Sequence, residues 1–255
     1  EDMIKWMQFQ LNNGINGKDT LFTKREQTTM WTPHVNYPVS DRAREVYGGR
    51  NFNGYGLGWG TTEYHGKQMV SHTGGYDGMY SAVTMLPTEK IGVVILTNTM
   101  DGIGTLLSYE IIDRLLGLPQ QDWKNRGINQ DKGHWADRAA RIKERTDARI
   151  MGTKPSMDVV AISGLYRCPL FGDIRILEEN GKLTIDFVHS PQLKARLSHW
   201  HNDTYQLEWL EEQAWFEFGT VQIQMNNSGK PSGLLFDVPN DDIFFEEIKA
   251  VRVTP

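Results

Sequence analysis

Chemistry is concentrated in the stretch Ser71-His72-Thr73-Gly74-Gly75-Tyr76-Asp77-Gly78. It holds an imidazole that is mostly neutral near neutral pH, a hydroxyl that can bond a carbonyl or carboxylate, and two adjacent residues without Cβ. Two glycines at a strand end let a substrate or another backbone approach closely. Taken alone, the stretch reads first as a Gly-rich turn between strands. A second arrangement, His199-Trp200-His201, puts two imidazoles on one face of a strand, a geometry able to hold a metal. No third ligand is signalled nearby, so these are read as strand histidines flanking a core tryptophan. No metal and no cofactor are expected. Trp200, Tyr205, Trp209, Trp215 and Phe216 could line a ligand cavity, but aromatic residues at strand spacing read first as barrel core.

The elements that must position these residues are legible from periodicity. Met3, Trp6, Met7 and Gln10, with Ile4 and Leu11, recur at helical spacing, and Asn13-Gly14 ends that helix. Thr23-Lys24-Arg25-Glu26 is a capping box that opens a short helix through Met30 and Trp31, closed by Pro33. Residues 32–52 read as loop. From Tyr55 the period becomes that of strands, through Gln68 to Ser71, Tyr80 to Leu86 and Ile91 to Thr97, which predicts an antiparallel meander. An apolar helix follows from Gly104 to Leu116. Residues 119–154 are charged and poor in aliphatics, and are read as a partly helical linker with a solvated helix over Trp135 to Ile150. About eight short strands after Ala161, with turns such as Asn180-Gly181 and Asn202-Asp203, suggest a small barrel or sandwich.

Composition excludes several classes. The 255 residues carry 27 Lys+Arg against 32 Asp+Glu, a formal charge of −5, so nothing attracts phosphate backbones or anionic lipid. No apolar run approaches the ~20 residues of a membrane-spanning helix. The single cysteine, Cys168, can form no intrachain disulfide. The chain opens Glu1-Asp2-Met3-Ile4-Lys5-Trp6, already in helical pattern, and is expected to be cut from something longer.

In combination the motifs are more specific. Tyr55-Gly56-Leu57-Gly58-Trp59, then His72-Thr73-Gly74-Gly75, Met79 to Pro87, and Ile91-Gly92-Val93-Val94-Ile95-Leu96-Thr97-Asn98 closely resemble the C-terminal part of the serine β-lactamase-related family. That family includes class C β-lactamases, D-alanyl-D-alanine peptidases and related esterases. Asp2 to Trp6, with Gln10 to Gly14, resembles the helix that precedes this stretch in many bacterial members. The resemblance covers residues 1 to about 118. It implies a catalytic Ser-x-x-Lys motif, a Tyr-x-Asn element and a Lys-Thr-Gly or His-Thr-Gly strand. Only the last is present. No Ser or Thr stands three residues before a Lys in a helical context, and no Tyr-x-Asn or Tyr-x-Ser occurs.

By the family pattern, the amide of Gly75 is one oxyanion donor and the nucleophile's own amide the other. Thr73 would bond a substrate carboxylate or amide, and Gly74 completes the substrate-binding strand. His72 stands where many members have Lys and would attract a carboxylate less strongly, which tilts toward esters or peptides over penicillins. Residues from about 155 to 253 resemble the lipocalin-like domain appended behind many such catalytic domains, on Gly164-Leu165-Tyr166, Gly181-Lys182-Leu183 and Leu197 to Tyr205.

The expected fold class is therefore α+β: an antiparallel sheet with helices over residues 1–118, a linker over 119–154, and a lipocalin-like antiparallel barrel over 155–255. The expected function is that of a C-terminal fragment of a serine hydrolase acting on a small-molecule lactam, ester or D-amino-acid peptide, inactive as this chain alone. Its expected partner is the missing N-terminal half or a second copy, because Val83, Met85, Val93 and Ile95 are expected to form an uncovered apolar face. No nucleic acid and no transmembrane segment are expected. The resemblance implies a periplasmic or secreted location. The rival reading is a non-catalytic protein that holds a ligand or cell-wall fragment in its barrel, and a third is a purely structural role.

Overall fold

The apolar positions of residues 1–132 sort onto the two faces of one sheet and the helices that cover it. The computed structural model describes residues 1–253 except 77, 101, 214 and 242, and divides into two units, Glu1–Lys132 and Gly133–Pro255. The first unit runs through α1 (Asp2–Leu11), a small hairpin of β1 (Ile15–Asn16) and β2 (Asp19–Thr20), α2 (Lys24–Trp31), β3 (Val35–Asn36) and α3 (Asp41–Val46). Then come β4 (Asn53–Tyr55), β5 (Gly60–Tyr64), β6 (Lys67–Tyr76), β7 (Met79–Leu86), β8 (Ile91–Thr97) and α4 (Ile103–Leu116). Strands β3 to β8 form an antiparallel six-stranded sheet in sequence order.

Met7 and Leu11 of α1 and Trp31 of α2 pack with Trp59, Val70, Val83 and Met85 on one face of this sheet. Leu106, Tyr109 and Ile112 of α4 pack with Tyr64, Met69, Leu86 and Val93 on the other. Each fully buried side chain of this size contributes roughly 1.5–3 kcal/mol of transfer free energy. The expected uncovered face is thus corrected. The register pairs Val83 with Val94 and Thr84 with Val93, which puts Val83 and Val93 on opposite faces. Val83 and Met85 lie under α1 and α2, and Val93 lies under α4 with Ile95 packed against the same cluster.

The loop expected over residues 32–52 contains β3 and α3. Helix α3 is capped by Ser40, whose Oγ accepts the Ala43 N–H at 3.2 Å, and it buries no residue, so no apolar period announces it. Helix α5 (Trp123–Asp147) begins twelve residues before the expected start. Asn125, Gly127, Asn129 and Gly133 lower its intrinsic propensity and hide it from a propensity reading, while Trp123 anchors its first turn in the core.

The second unit, after the short α6 (Val159–Ile162), consists of β9 (Gly164–Cys168), β10 (Gly172–Glu179), β11 (Lys182–Phe187), β12 (Lys194–His201), β13 (Thr204–Trp209), β14 (Thr220–Met225), β15 (Pro231–Asp237) and β16 (Ala250–Arg252). They close an eight-stranded antiparallel barrel through the pairing of β16 with β9. Alternation along β11 buries Leu183, Ile185 and Phe187 inside. The Arg252 guanidinium donates to the carbonyls of Ala161 (2.7 Å) and Ser163 (2.8 Å) and fastens α6 beside the closing strands. Among the described residues, no helix is long and apolar enough to cross a membrane.

Candidate active-site wall

Strand β6 has a buried root and an exposed tip. At the root, Val70 packs under α1 and α2 while Met69 packs toward α4, both with almost no exposure. From His72 to Tyr76 every residue is exposed. The stretch His72-Thr73-Gly74-Gly75, which alone could have been a turn, is therefore strand; Asp77 lies outside the described residues. A rigid, doubly packed root is what holds such a projecting segment in place.

The ladder decides which backbone groups of the tip are free. The β5–β6 hairpin turns through His65 (φ 49°) and Gly66 (φ 75°), both left-handed, as a two-residue type I′ loop requires. Its closing pair, Tyr64 and Lys67, is hydrogen-bonded, so alternate pairs out to Gly60–Ser71 exchange bonds as well. Lys67, Met69 and Ser71 thus aim their backbone groups at β5, and His72 and Gly74 aim theirs at β7. Pairing with β5 stops at Ser71, whereas pairing with β7 continues without a bulge to Tyr76. The N–H and C=O groups of Thr73 and Gly75 consequently lie on an edge that is unpaired among the described residues. The Ser81 hydroxyl donates to the Gly74 carbonyl at 3.3 Å, on the β7 side.

His72 is not a bare strand-end histidine. Its Nε2 lies 2.9 Å from the Tyr55 hydroxyl. Tyr55 is held by the β4–β5 turn, Gly56-Leu57-Gly58-Trp59. There the Gly56 N–H donates to the Trp59 carbonyl (2.7 Å), and the Leu57 N–H donates to the Met30 carbonyl at the end of α2 (2.9 Å). A Cβ on Gly56 would overlap that Met30 oxygen, so the turn tolerates only glycine. Trp59 then stacks on Trp6 at 5.5 Å and meets the edge of Trp31. Tyr55 stands in the sequence motif Tyr55-Gly56-Leu57-Gly58-Trp59, but that motif alone does not announce its pairing with His72. The available signal was an aromatic residue directly before a Gly-x-Gly turn, one hairpin from the histidine.

Behind the sheet lies a buried polar knot. Asp113 of α4 is 1% exposed, accepts the Tyr64 hydroxyl at one oxygen and accepts the Trp123 indole N–H (2.7 Å) at the other. Burial first, and then the bond to Asp113, push the Tyr64 hydroxyl's pKa up and keep it a proton donor.

The remaining candidates separate. The β12–β13 register shifts between His199 and His201. His199 Nε2 lies 2.9 Å from the Asn202 carbonyl, and His201 Nδ1 accepts the Ile150 N–H at 3.2 Å. No group of three or more His, Cys, Asp or Glu is arranged to hold a metal among the described residues. Tyr205 and Phe216 belong to the barrel core, with Trp209 and Trp215 packed against it. Trp200 instead meets Phe218 edge-on and carries the Arg149 guanidinium 4.4 Å over its ring.

Comparison with known proteins gives this geometry a family. Residues 1–115 match the family profile described as Beta-lactamase. This part of the chain belongs to the β-lactamase-related family. Residues 148–252 match a profile described as a domain of unknown function, DUF3471. Two fungal proteins are similar over part of the chain. The Unguisins hydrolase ungD of Aspergillus violaceofuscus is 41% identical over 71 residues, 27% of this chain and 12% of its own length. The Unguisins hydrolase ungD' of Aspergillus campestris is 35% identical over 75 residues, 27% of this chain and 14% of its own. The matches thus span under a sixth of these curated relatives. A solved octameric penicillin-binding protein homologue from Pyrococcus abyssi aligns over 98% of this chain and 46% of its own, at 14% identity and a TM-score of 0.40, too low to bear on the fold. The β-lactamase-related segment contains the whole six-stranded sheet and the exposed tip of β6.

Proposed function

We propose that the β-lactamase-related segment supplies one wall of a serine acyl-transfer site, the nucleophilic serine coming from a Ser-x-x-Lys element outside these 255 residues. The observation that carries this reading is the exposed His72-Thr73-Gly74-Gly75 tip, whose Thr73 and Gly75 amides face an edge unpaired among the described residues. In the reaction, the serine Oγ attacks an acyl carbonyl, and the carbonyl oxygen takes the negative charge. The Gly75 N–H donates to that oxyanion, and the leaving group departs with a proton. Water then attacks the acyl-enzyme and releases the acid. Thr73 and His72 hold acceptor oxygens of the substrate. The absence of any Ser or Thr three residues before a Lys supports a nucleophile supplied from elsewhere, and two relatives named as hydrolases support hydrolysis over simple binding.

Substrate candidates are a lactam, an ester or a D-amino-acid peptide. The missing strands would come from the N-terminal half of the catalytic domain or a second copy, and would pair with β8, which has β7 as its one neighbour among the described strands. The barrel is read as lipocalin-like, and the compartment as periplasmic or secreted. The test uses the chain extended by its upstream coding sequence, assayed on a chromogenic lactam, a p-nitrophenyl ester and a D-alanyl peptide. Replacing His72 or Thr73 by Ala should lower acylation by roughly 10–1000-fold. Gly75→Pro, which deletes the donor N–H, should lower it further. Unchanged turnover in a folded Gly75→Pro enzyme would falsify the oxyanion assignment.

A further inference from the structure

We propose that Tyr55 is a positioning residue, fixing neutral His72 as the Nδ1–H tautomer so that Nδ1–H is offered to a substrate acceptor oxygen. The use of that donor rests on the acyl-transfer reading above; the tautomer does not. The Tyr55 hydroxyl and His72 Nε2 are 2.9 Å apart, with ring centroids 6.1 Å apart. Either atom can donate in principle. A neutral phenol oxygen is a far weaker base than the bare nitrogen of a neutral imidazole, and a phenol O–H is a stronger acid than an imidazole N–H, so the hydroxyl donates and the nitrogen accepts. An Nε2 that accepts leaves the ring's one proton on Nδ1.

The tyrosine is well placed to impose this choice. Its strand is pinned where the Tyr55 carbonyl accepts the His34 N–H (2.8 Å), and the turn after it is locked over the end of α2. His72 rides on a ladder paired continuously with β7. Among the described residues, His72 Nδ1 has no hydrogen-bond partner, and the residue is exposed. The substrate class follows from this donor. A neutral N–H donates to an uncharged carbonyl oxygen and lacks the charge attraction that a cation at this position would give a carboxylate, so the group read here need not be charged, which favours esters and amides over acids.

The test is 15N NMR of the imidazole in the 255-residue chain, at a pH where the ring is neutral. In the wild type, Nδ1 should show the protonated, pyrrole-type signal and Nε2 the bare, pyridine-type signal. In Tyr55→Phe the ratio of tautomers should move toward Nε2–H by about 2–10-fold, the amount an ordinary hydrogen bond supplies. A wild-type ring protonated at Nε2, or an unchanged ratio in a folded Tyr55→Phe, overturns the proposal. Should Tyr55→Phe fail to fold, the wild-type signals alone decide. In the upstream-extended enzyme, Tyr55→Phe should lower ester turnover, and in a His72→Ala background it should have no further effect. The predicted tautomer combined with unaltered turnover would reject the substrate-facing role while leaving the positioning intact.

Discussion

Single residues in this protein divide into those whose role their type announces and those whose role depends on where the chain brings them. Gly56 is of the first kind once its surroundings are known. Its missing side chain is required by the Met30 carbonyl, so Gly56→Ala should cost roughly 1–3 kcal/mol, as overpacking does. Urea denaturation measures this, and a stability within experimental error of wild type would show that the turn can shift. His72, Thr73 and Gly75 stand out as candidates because their order in the sequence is distinctive. Tyr55 does not, because a contact between residues 17 apart in sequence depends on how two hairpins stack. The same holds for Asp113, which in sequence is one of several polar residues, with Thr105, Ser108, Glu110 and Arg114, on a largely apolar helix. Its two buried donors, Tyr64 and Trp123, come from β5 and the start of α5. Asp113→Ala would strand both donors and should destabilise by on the order of 2–5 kcal/mol. Asp113→Asn, which keeps an acceptor, should cost less, and equal losses would remove the hydrogen-bonding explanation.

Elements with strong local rules were readable, and elements defined only by tertiary packing were not. The capping box of α2 forms as written: Thr23 Oγ1 accepts the Glu26 N–H (3.3 Å), and the Glu26 carboxylate accepts the Thr23 N–H (2.6 Å). That backbone bond, and after it the Thr23 hydroxyl, hold the Glu26 carboxyl below its usual range. A carboxylate whose folded pKa is depressed stabilises above its unfolded value and loses that contribution as pH falls through the folded one. Thr23→Ala should therefore cost about 0.5–2 kcal/mol near neutrality and less in acid. A pH-independent loss in denaturant titrations would point to packing instead of the cap. The strands β7 and β8 and helix α4 were equally plain, since apolar runs bounded by turns leave few alternatives. The tip of β6 was not, because two consecutive glycines suggest a turn, and only pairing with β7 across seven register positions keeps them extended. Helix α3 buries nothing, and α5 begins among poor helix formers, so neither has a periodic signature.

At the scale of the molecule, the sheet of the first unit and the barrel of the second build their cores from separate stretches of chain. The barrel core draws only on residues of the second unit, and its sheet has no free edge. Residues 133–255 produced alone should therefore fold and melt cooperatively; a disordered circular-dichroism spectrum would contradict that. The sheet of the first unit is covered on both faces, yet it ends at β8, where Leu96 is 64% exposed on an edge strand. Such an edge invites another strand, as the proposed completion of the site from outside these residues requires. The most direct measurement is intact-protein mass spectrometry after treatment with a serine-reactive phosphonate. The 255-residue chain should remain unlabelled, and the upstream-extended chain should gain one adduct, lost when its Ser-x-x-Lys serine is replaced by Ala. A stoichiometric adduct on the 255-residue chain itself, accompanied by saturable ester turnover that the phosphonate blocks, would contradict the assignment of His72 to Gly75 as one wall of a site completed from outside.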